Sequence, residues 1–359
     1  MKSLLYISII IVGIASAAGT AYVVMNSQKT ESMQETIREP VVNMQEEIQK
    51  EIAEQHPLAI EQMRQRDYPG SQITIEEELP ATATYNQYVV SYLSEGLKIN
   101  ALMTVPTGEK PDNGWPVIIF NHGYIPPEVY RTTERYEAYV AGFASEGYIV
   151  FKSDYRGHGD SEGDPEGAYF SPAYTVDVLN ATASIKKFDD ADPDRIGMWG
   201  HSMGGHIMLR SMVIDPDIKV GVSWAGVVSS YEDIFQQWWL KRDSDWTPSE
   251  RELRARRGRS SQSFTGTYGT PSSELTDPFW QSISPNYYLE DISGPVQLHH
   301  GLNDETVPDV LSERLYEELT ELNKEVEYYS YPGTDHNLTQ SFNIAMQRSV
   351  EYYDIYLKE

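Results

Sequence analysis

The sequence predicts an α/β fold, with a mainly parallel sheet and helices on both faces. Three observations carry this. From Pro116 onward, short apolar runs of buried-strand type alternate with helical stretches; each parallel strand needs a crossover that returns over one face of the sheet. The length of 359 residues suits one large domain or two small ones with a real core. Between Arg195 and Ile214 a strand runs into a helix through a glycine-flanked serine.

The elements follow in order. Lys2 precedes an uncharged apolar run from Leu4 to Met25, 22 residues long. At about 1.5 Å per residue this length crosses a hydrocarbon core. Ala15-Ser16-Ala17 resembles a signal-peptidase site, but the run stays apolar beyond it. The expectation is a retained membrane anchor over 1–25 and an extracytoplasmic body; secretion after cleavage is the alternative. Residues 26–70 are rich in Gln and Glu, with Pro57 interrupting a helical stretch, and read as a polar stalk.

The folded domain is expected over 71–359. From about Gln72 to Val105 the pattern changes to strand, and NQYVVSYLSEGLKINALMTVP reads as two β runs joined at Ser94-Glu95-Gly96. The alternation then begins. Strands are expected at Pro116–Phe120, Tyr148–Phe151, Arg195–Trp199, Ile218–Trp224, Val296–Leu298 and Val326–Tyr329. Helices are expected at Arg131–Glu146, Thr175–Phe188, His206–Ile214, Val310–Leu322 and Leu338–Leu357. Residues 229–288 break the rhythm, with Trp238, Trp239, Trp246, Trp280 and a basic run from Arg251 to Arg259. That is too long for a plain loop and reads as a lid-like insertion over the sheet.

Composition excludes several functions. The formal net charge of −26 argues against nucleic acid as a partner, because phosphate contacts need clustered Lys and Arg. With no Cys there is no disulfide framework, no Cys-ligated zinc and no thiol nucleophile. No metal or cofactor is implied.

Two G-x-S-x-G matches occur, one at Ser161 and one at Ser202. A serine nucleophile of this type needs a strand, a very tight turn and a helix, so that its hydroxyl stands above the sheet. Ser161 lies in a polar loop and is followed by Glu162, Gly163, Asp164 and Pro165, which start no apolar helix. Ser202 stands between the strand RIGMW and the helix MGGHIMLRSMVI. Ser202 is therefore the candidate nucleophile. The N–H of Met203 then opens a helix, where a developing anion is favoured.

A serine hydroxyl needs a base, and the base needs an orienting acid. Of the eight His, His336 lies in a loop between the last strand and the last helix, where it can reach over the turn. His299 and His300 end a strand and read as structural. Asp304 lies just beyond the strand before His336; Asp309 reads as a helix cap, and Asp335 is adjacent to the His and projects elsewhere. In the loop Asn121-His122-Gly123-Tyr124, after the first parallel strand, the N–H of Tyr124 is the second candidate oxyanion donor.

Taken together in this order, NHGY, DYRGHGDSEG, GHSMGG, and HGLNDETVP with GTDHNL resemble an α/β-hydrolase of the prolyl oligopeptidase type. The resemblance covers about residues 85 to 359 and extends to dipeptidyl- and acylaminoacyl-peptidases and dienelactone hydrolase-like esterases. It implies that Ser202, Asp304 and His336 match the catalytic triad and that Tyr124 and Met203 match the oxyanion donors. It also implies that DYRGHGDSEG is a loop after a strand and not the nucleophile site. The family's oligopeptidases carry a large β-propeller ahead of the hydrolase domain; here a stalk and a short β segment stand there, and no propeller supplies a Glu-Glu pair to hold a substrate amino terminus. The implied activity is hydrolysis of small esters or short peptides through an acyl-enzyme. Passing the acyl group to an alcohol or amine is the enzymatic alternative. A catalytically silent binding or scaffold protein on the same fold is the non-enzymatic one.

Overall fold

The computed structural model describes residues 55–239, 264–271 and 277–358. Nine strands form one sheet in the order β1-β2-β3-β5-β4-β6-β7-β8-β9. They are β1 (Thr74–Leu79), β2 (Tyr85–Ser94), β3 (Leu97–Pro106), β4 (Trp115–Asn121), β5 (Ile149–Ser153), β6 (Ala191–His201), β7 (Val220–Trp224), β8 (Val296–Gly301) and β9 (Val326–Tyr331). β1, β2 and β3 pair antiparallel, as do β3 and β5, and every other pairing is parallel. β4 lies between β5 and β6, so the chain leaves β4 to opposite sides. In open α/β sheets such a reversal opens a crevice beyond the carboxyl ends of the strands.

The central strands read as unbroken apolar runs because both faces are covered. Val117 and Ile119 of β4 face one core layer, while Ile118 and Phe120 face the other, as the two-residue period of a strand requires. Helices α3 (Ala173–Ile185) and α4 (Met203–Ile214) cover the first face. Helices α2 (Glu137–Ala144) and α7 (Phe342–Leu357) cover the second, where Trp199 stacks on Phe120 with centroids 4.2 Å apart. Full burial of side chains of this size stabilises by about 1.5–3 kcal/mol each.

Several expectations are corrected. The described end of the supposed stalk is packed: α1 (Ile60–Arg64) buries Ile60 and Met63, with Leu58 and Ala59 buried ahead of it. Arg210 of α4 donates to the Leu58 carbonyl at 2.6 Å, and Arg64 donates twice to the Val213 carbonyl. The apolar residues responsible are few and sit among Gln and Glu, so composition hides them. β1 lies within the stretch read as strand but adds a third strand to the two β runs; TIEEEL is polar and forms an edge strand whose glutamates blunt an otherwise open row of backbone groups. The β2–β3 turn has φ of +52° at Glu95 and +82° at Gly96, the left-handed pair that matches hairpin twist.

The helix after β4 starts at Glu137, not Arg131. Tyr130 and Thr132 donate to the Asp154 carboxylate at the end of β5, and Lys152 donates to the Glu134 and Arg135 carbonyls. These bonds hold 130–136 out of the helix, and Arg135 and Tyr136 take φ of +65° and +56°. Asp309 stands at the N-cap position of α6 (Val310–Glu321) but makes no side-chain cap bond.

The insertion after β7 begins as a helical turn at Tyr231–Asp233 and continues as a π-helix at Ile234–Trp239. Later come α5 (Pro278–Ile283) and a 3₁₀ stretch at Pro285–Asp291. Tyr231, Phe235, Phe279, Trp280 and Ile283 pack with Leu58 as a separate aromatic cluster. Trp280 thus serves the insertion's own packing, while Trp238 and Trp239 also pack against Val307 and Leu311 beyond β8. Trp246, the basic run Arg251–Arg259, the N-terminal apolar run and residues 26–54 lie outside the described residues. Among the described residues no helix is long and apolar enough to cross a membrane.

Candidate active site

The turn between β6 and α4 is built by what its glycines lack. A Cβ on Gly200 would lie 2.4 Å from the Gly204 carbonyl oxygen, and one on Gly204 would lie 1.9 Å from that of Asn121. Neither position accepts a side chain. The close approach forces Ser202 to φ +55°, ψ −118°, a conformation disfavoured for an L residue and typical of strained functional turns. The Ser202 carbonyl accepts from the N–H groups of Gly205 and Val227, both at 3.0 Å, which fixes the turn on α4 and on the loop after β7. Met203 is the first residue of α4, so its N–H has no partner within the helix.

Asp304 and His336 meet. β8 ends at Gly301, and Asp304 lies three residues beyond it, its side chain 1 % exposed. One carboxylate oxygen accepts from the N–H groups of Thr306 (2.7 Å) and Val307 (2.9 Å). The other lies 2.7 Å from His336 Nδ1 and 3.2 Å from His300 Nε2. Burial alone would raise the Asp304 pKa, but hydrogen bonds from His300, His336 and Val307 hold it well below the usual carboxylate range. An ionised carboxylate only accepts, so His336 carries its proton on Nδ1 and leaves Nε2 open to take one.

His201, the neighbour of Ser202, ties the turn to this pair. Its ring is 4.6 Å from that of His336, and its Nε2 lies 3.0 Å from the His336 carbonyl oxygen. The nucleophile candidate, the base candidate and the acid candidate therefore share one edge of the sheet.

The loop after β4 reaches the same edge. His122 is buried between the rings of Tyr130 and Tyr155, at 4.7 and 4.3 Å. Burial, with the neighbouring His158, pushes its pKa well below the ordinary value. Its Nδ1 lies 2.7 Å from the Gly123 carbonyl oxygen; a carbonyl only accepts, so Nδ1 donates. In a trans peptide the C=O and the following N–H point in opposite directions. Holding the Gly123 carbonyl toward His122 therefore turns the Tyr124 N–H away from it. The Tyr124 side chain is 46 % exposed.

Ser161, the serine of the first match, is buried, and its hydroxyl accepts from the Asn100 N–H at 2.9 Å, pinning its loop to β3. Asp335 accepts from the N–H groups of Asn337 and Thr339, so it is engaged by its own loop. Sequence reasoning missed three supporting residues. His300 reaches Asp304 at four-residue spacing past a strand end, a signal open to a closer reading. Tyr136 and His201 also sit at the site; His201 is visible as the neighbour of Ser202, but nothing in the sequence points to Tyr136.

Comparison with known proteins bears on the family and the fold. The X-Pro dipeptidyl-peptidase (S15 family) model matches residues 95–334. The uncharacterized peptidase YtmA of Bacillus subtilis (strain 168) is 27% identical over 270 residues, covering 73% of this chain and 91% of that protein. A puromycin-hydrolyzing peptidase of Mycobacterium tuberculosis superposes with a TM-score of 0.56 at 20% identity, over 78% of this chain but only 41% of its own. Acetyl xylan esterase 1 of Thermoanaerobacterium sp. JW/SL YS485 superposes at 0.58 and 19% identity, over 86% and 93%. The structural likenesses establish the α/β-hydrolase fold; the matched family model covers most of the domain. The chain belongs to the X-Pro dipeptidyl-peptidase S15 family of serine hydrolases.

Proposed function

We propose that the protein cleaves small esters or short peptides through an acyl-enzyme on Ser202. The Ser202 hydroxyl attacks the substrate carbonyl and gives its proton to His336 Nε2. Asp304 holds the imidazolium by the Nδ1 bond. The N–H groups of Met203 and Tyr124 receive the negative charge that develops on the carbonyl oxygen; one such donor is worth about 10²–10³ in rate. His336 returns the proton to the leaving alcohol or amine, and water then releases the acyl group by the same steps reversed. The observation that carries this reading is the 2.7 Å bond from His336 Nδ1 to a carboxylate held ionised, on the edge that presents the strained Ser202.

The substrate side is supported by aromatic side chains beside the acid loop. Trp238 donates from its indole N–H to the Thr306 carbonyl at 2.7 Å, and Tyr169 packs against both Trp238 and His206 of α4. Such a wall suits an apolar acyl or aryl group. A panel of p-nitrophenyl esters and aminoacyl-nitroanilides is the test. We expect turnover to rise with acyl size from acetyl to butyryl or to an aromatic acyl group; a flat profile removes the apolar wall from the reading, and cleavage of neither class removes the activity.

We also propose an extracytoplasmic body tethered by the run from Leu4 to Met25, on the support of that uncharged stretch alone. Full-length protein is expected in the alkali-washed membrane pellet. Recovery in the soluble fraction with the apolar run still attached would overturn the tether.

A further inference from the structure

We propose that Tyr136 and His201 are positioning residues, a hydrogen-bond chain that locks the oxyanion loop and the base loop into one geometry. The inference rests on the triad reading above and adds two residues to it. The Gly123 N–H donates to the Tyr136 hydroxyl at 2.9 Å. That hydroxyl lies 2.7 Å from His201 Nδ1, and His201 Nε2 lies 3.0 Å from the His336 carbonyl oxygen.

The direction of every bond follows from the two ends. A carbonyl oxygen only accepts, so His201 Nε2 carries a proton. A neutral ring then has a bare Nδ1, which takes the Tyr136 O–H. The Tyr136 oxygen in turn receives the Gly123 N–H. The chain runs one way from Gly123 to His336 with each group used once. It needs a neutral His201. Burial and the charge of His336 both push the His201 pKa down, to about 3.

The chain also lies hard against the nucleophile. A Cβ on Gly123 would meet the Tyr136 hydroxyl at 2.8 Å, His201 Nδ1 at 3.1 Å and Ser202 Cβ at 3.2 Å. Tyr139, three residues along from Tyr136, donates to the Asn337 carbonyl at 2.7 Å. The start of α2 thus holds the main chain at Asn337 directly through Tyr139 and at His336 by way of His201, and, through Tyr136, the loop that offers the Tyr124 N–H. During reaction the oxyanion forms on one side of Ser202 and the imidazolium on the other. Misplacement of either by about 1 Å costs up to about a hundredfold.

The test compares Tyr136→Phe, His201→Leu and His201→Gln on one p-nitrophenyl ester, with fluorophosphonate labelling to count intact sites. Tyr136→Phe and His201→Leu are each expected to lower kcat about 10- to 100-fold with KM nearly unchanged. His201→Gln keeps one donor and one acceptor and is expected to recover most of kcat. The double variant Tyr136→Phe with His201→Leu is expected to lose no more than the worse single change, because both break one chain. Wild-type kcat in Tyr136→Phe, equal rates for His201→Leu and His201→Gln, or losses that multiply would each overturn the proposal. If Tyr136→Phe does not fold, the leucine–glutamine comparison decides alone. A fully active Ser202→Ala would sink the triad reading instead, so the two failures are distinguishable.

Discussion

Ser202→Ala is expected to lower kcat/KM by about 10⁴-fold or more and to abolish fluorophosphonate labelling, with the thermal midpoint almost unmoved. The hydroxyl is the attacking atom, and alanine supplies nothing in its place. The stability expectation follows from the turn. Ser202 sits at φ +55°, ψ −118° because Gly200, Gly204 and Asn121 crowd together there. Such a conformation costs about 1–3 kcal/mol, and alanine, with the same Cβ, bears the same cost. The companion change, Ser161→Ala, is expected to do the reverse. It leaves the rate within about twofold but removes the acceptor of the buried Asn100 N–H, a loss of about 1–3 kcal/mol. Kinetics and melting on the two variants side by side check the assignment. A Ser161 variant that is inactive yet folded, or a Ser202 variant that still turns over, would reverse the roles of the two motifs.

The separation of those serines was legible because it depends on local pattern. A strand, a glycine-lined turn and a helix leave a mark within about twenty residues of sequence, and Ser161 has no such mark. The central strands were legible for a similar reason: burial on both faces makes them uniformly apolar. What was hidden depends on distant partners. The helix after β4 gives up its first six expected residues to Lys152 of β5 and Asp154 just beyond it. α1 was lost because its few buried residues stand among Gln and Glu and find their partner, Arg210, 152 positions away from Leu58. Tyr136 is hidden because the pattern sets it inside the expected helix Arg131–Glu146, and a single tyrosine has no pattern of its own. Its role exists only where β4, β6 and α2 converge. The candidate site follows the same division: the nucleophile, base and acid are marked by loop position, His300 and His201 only by their spacing from Asp304 and Ser202, and Tyr136 by nothing local.

Asp304→Asn is expected to lower kcat about 10⁴-fold although the side chain keeps its shape. One carboxylate oxygen accepts from the Thr306 and Val307 N–H groups, and the other faces His336 Nδ1 and His300 Nε2. Asparagine has only one accepting oxygen. With that oxygen toward the two backbone N–H groups, its NH₂ confronts His336 Nδ1–H, donor against donor. His336 is then driven to the other tautomer, and its Nε2 offers Ser202 a proton where it should accept one. The reverse orientation sets the NH₂ against two buried backbone donors and is worse. A pH consequence accompanies the rate. The folded state holds the Asp304 pKa below its unfolded value, so the carboxylate contributes stability that is fully present above about pH 4, the unfolded value, and is lost as pH falls toward the depressed folded one. The difference in melting temperature between wild type and variant should therefore be widest near neutrality and narrow below about pH 4. A variant with wild-type kcat would move the orienting role to another carboxylate, and the one next to His336 in sequence is already committed. Asp335 is tied to the N–H groups of Asn337 and Thr339, and freeing it would dismantle the turn that carries His336 itself.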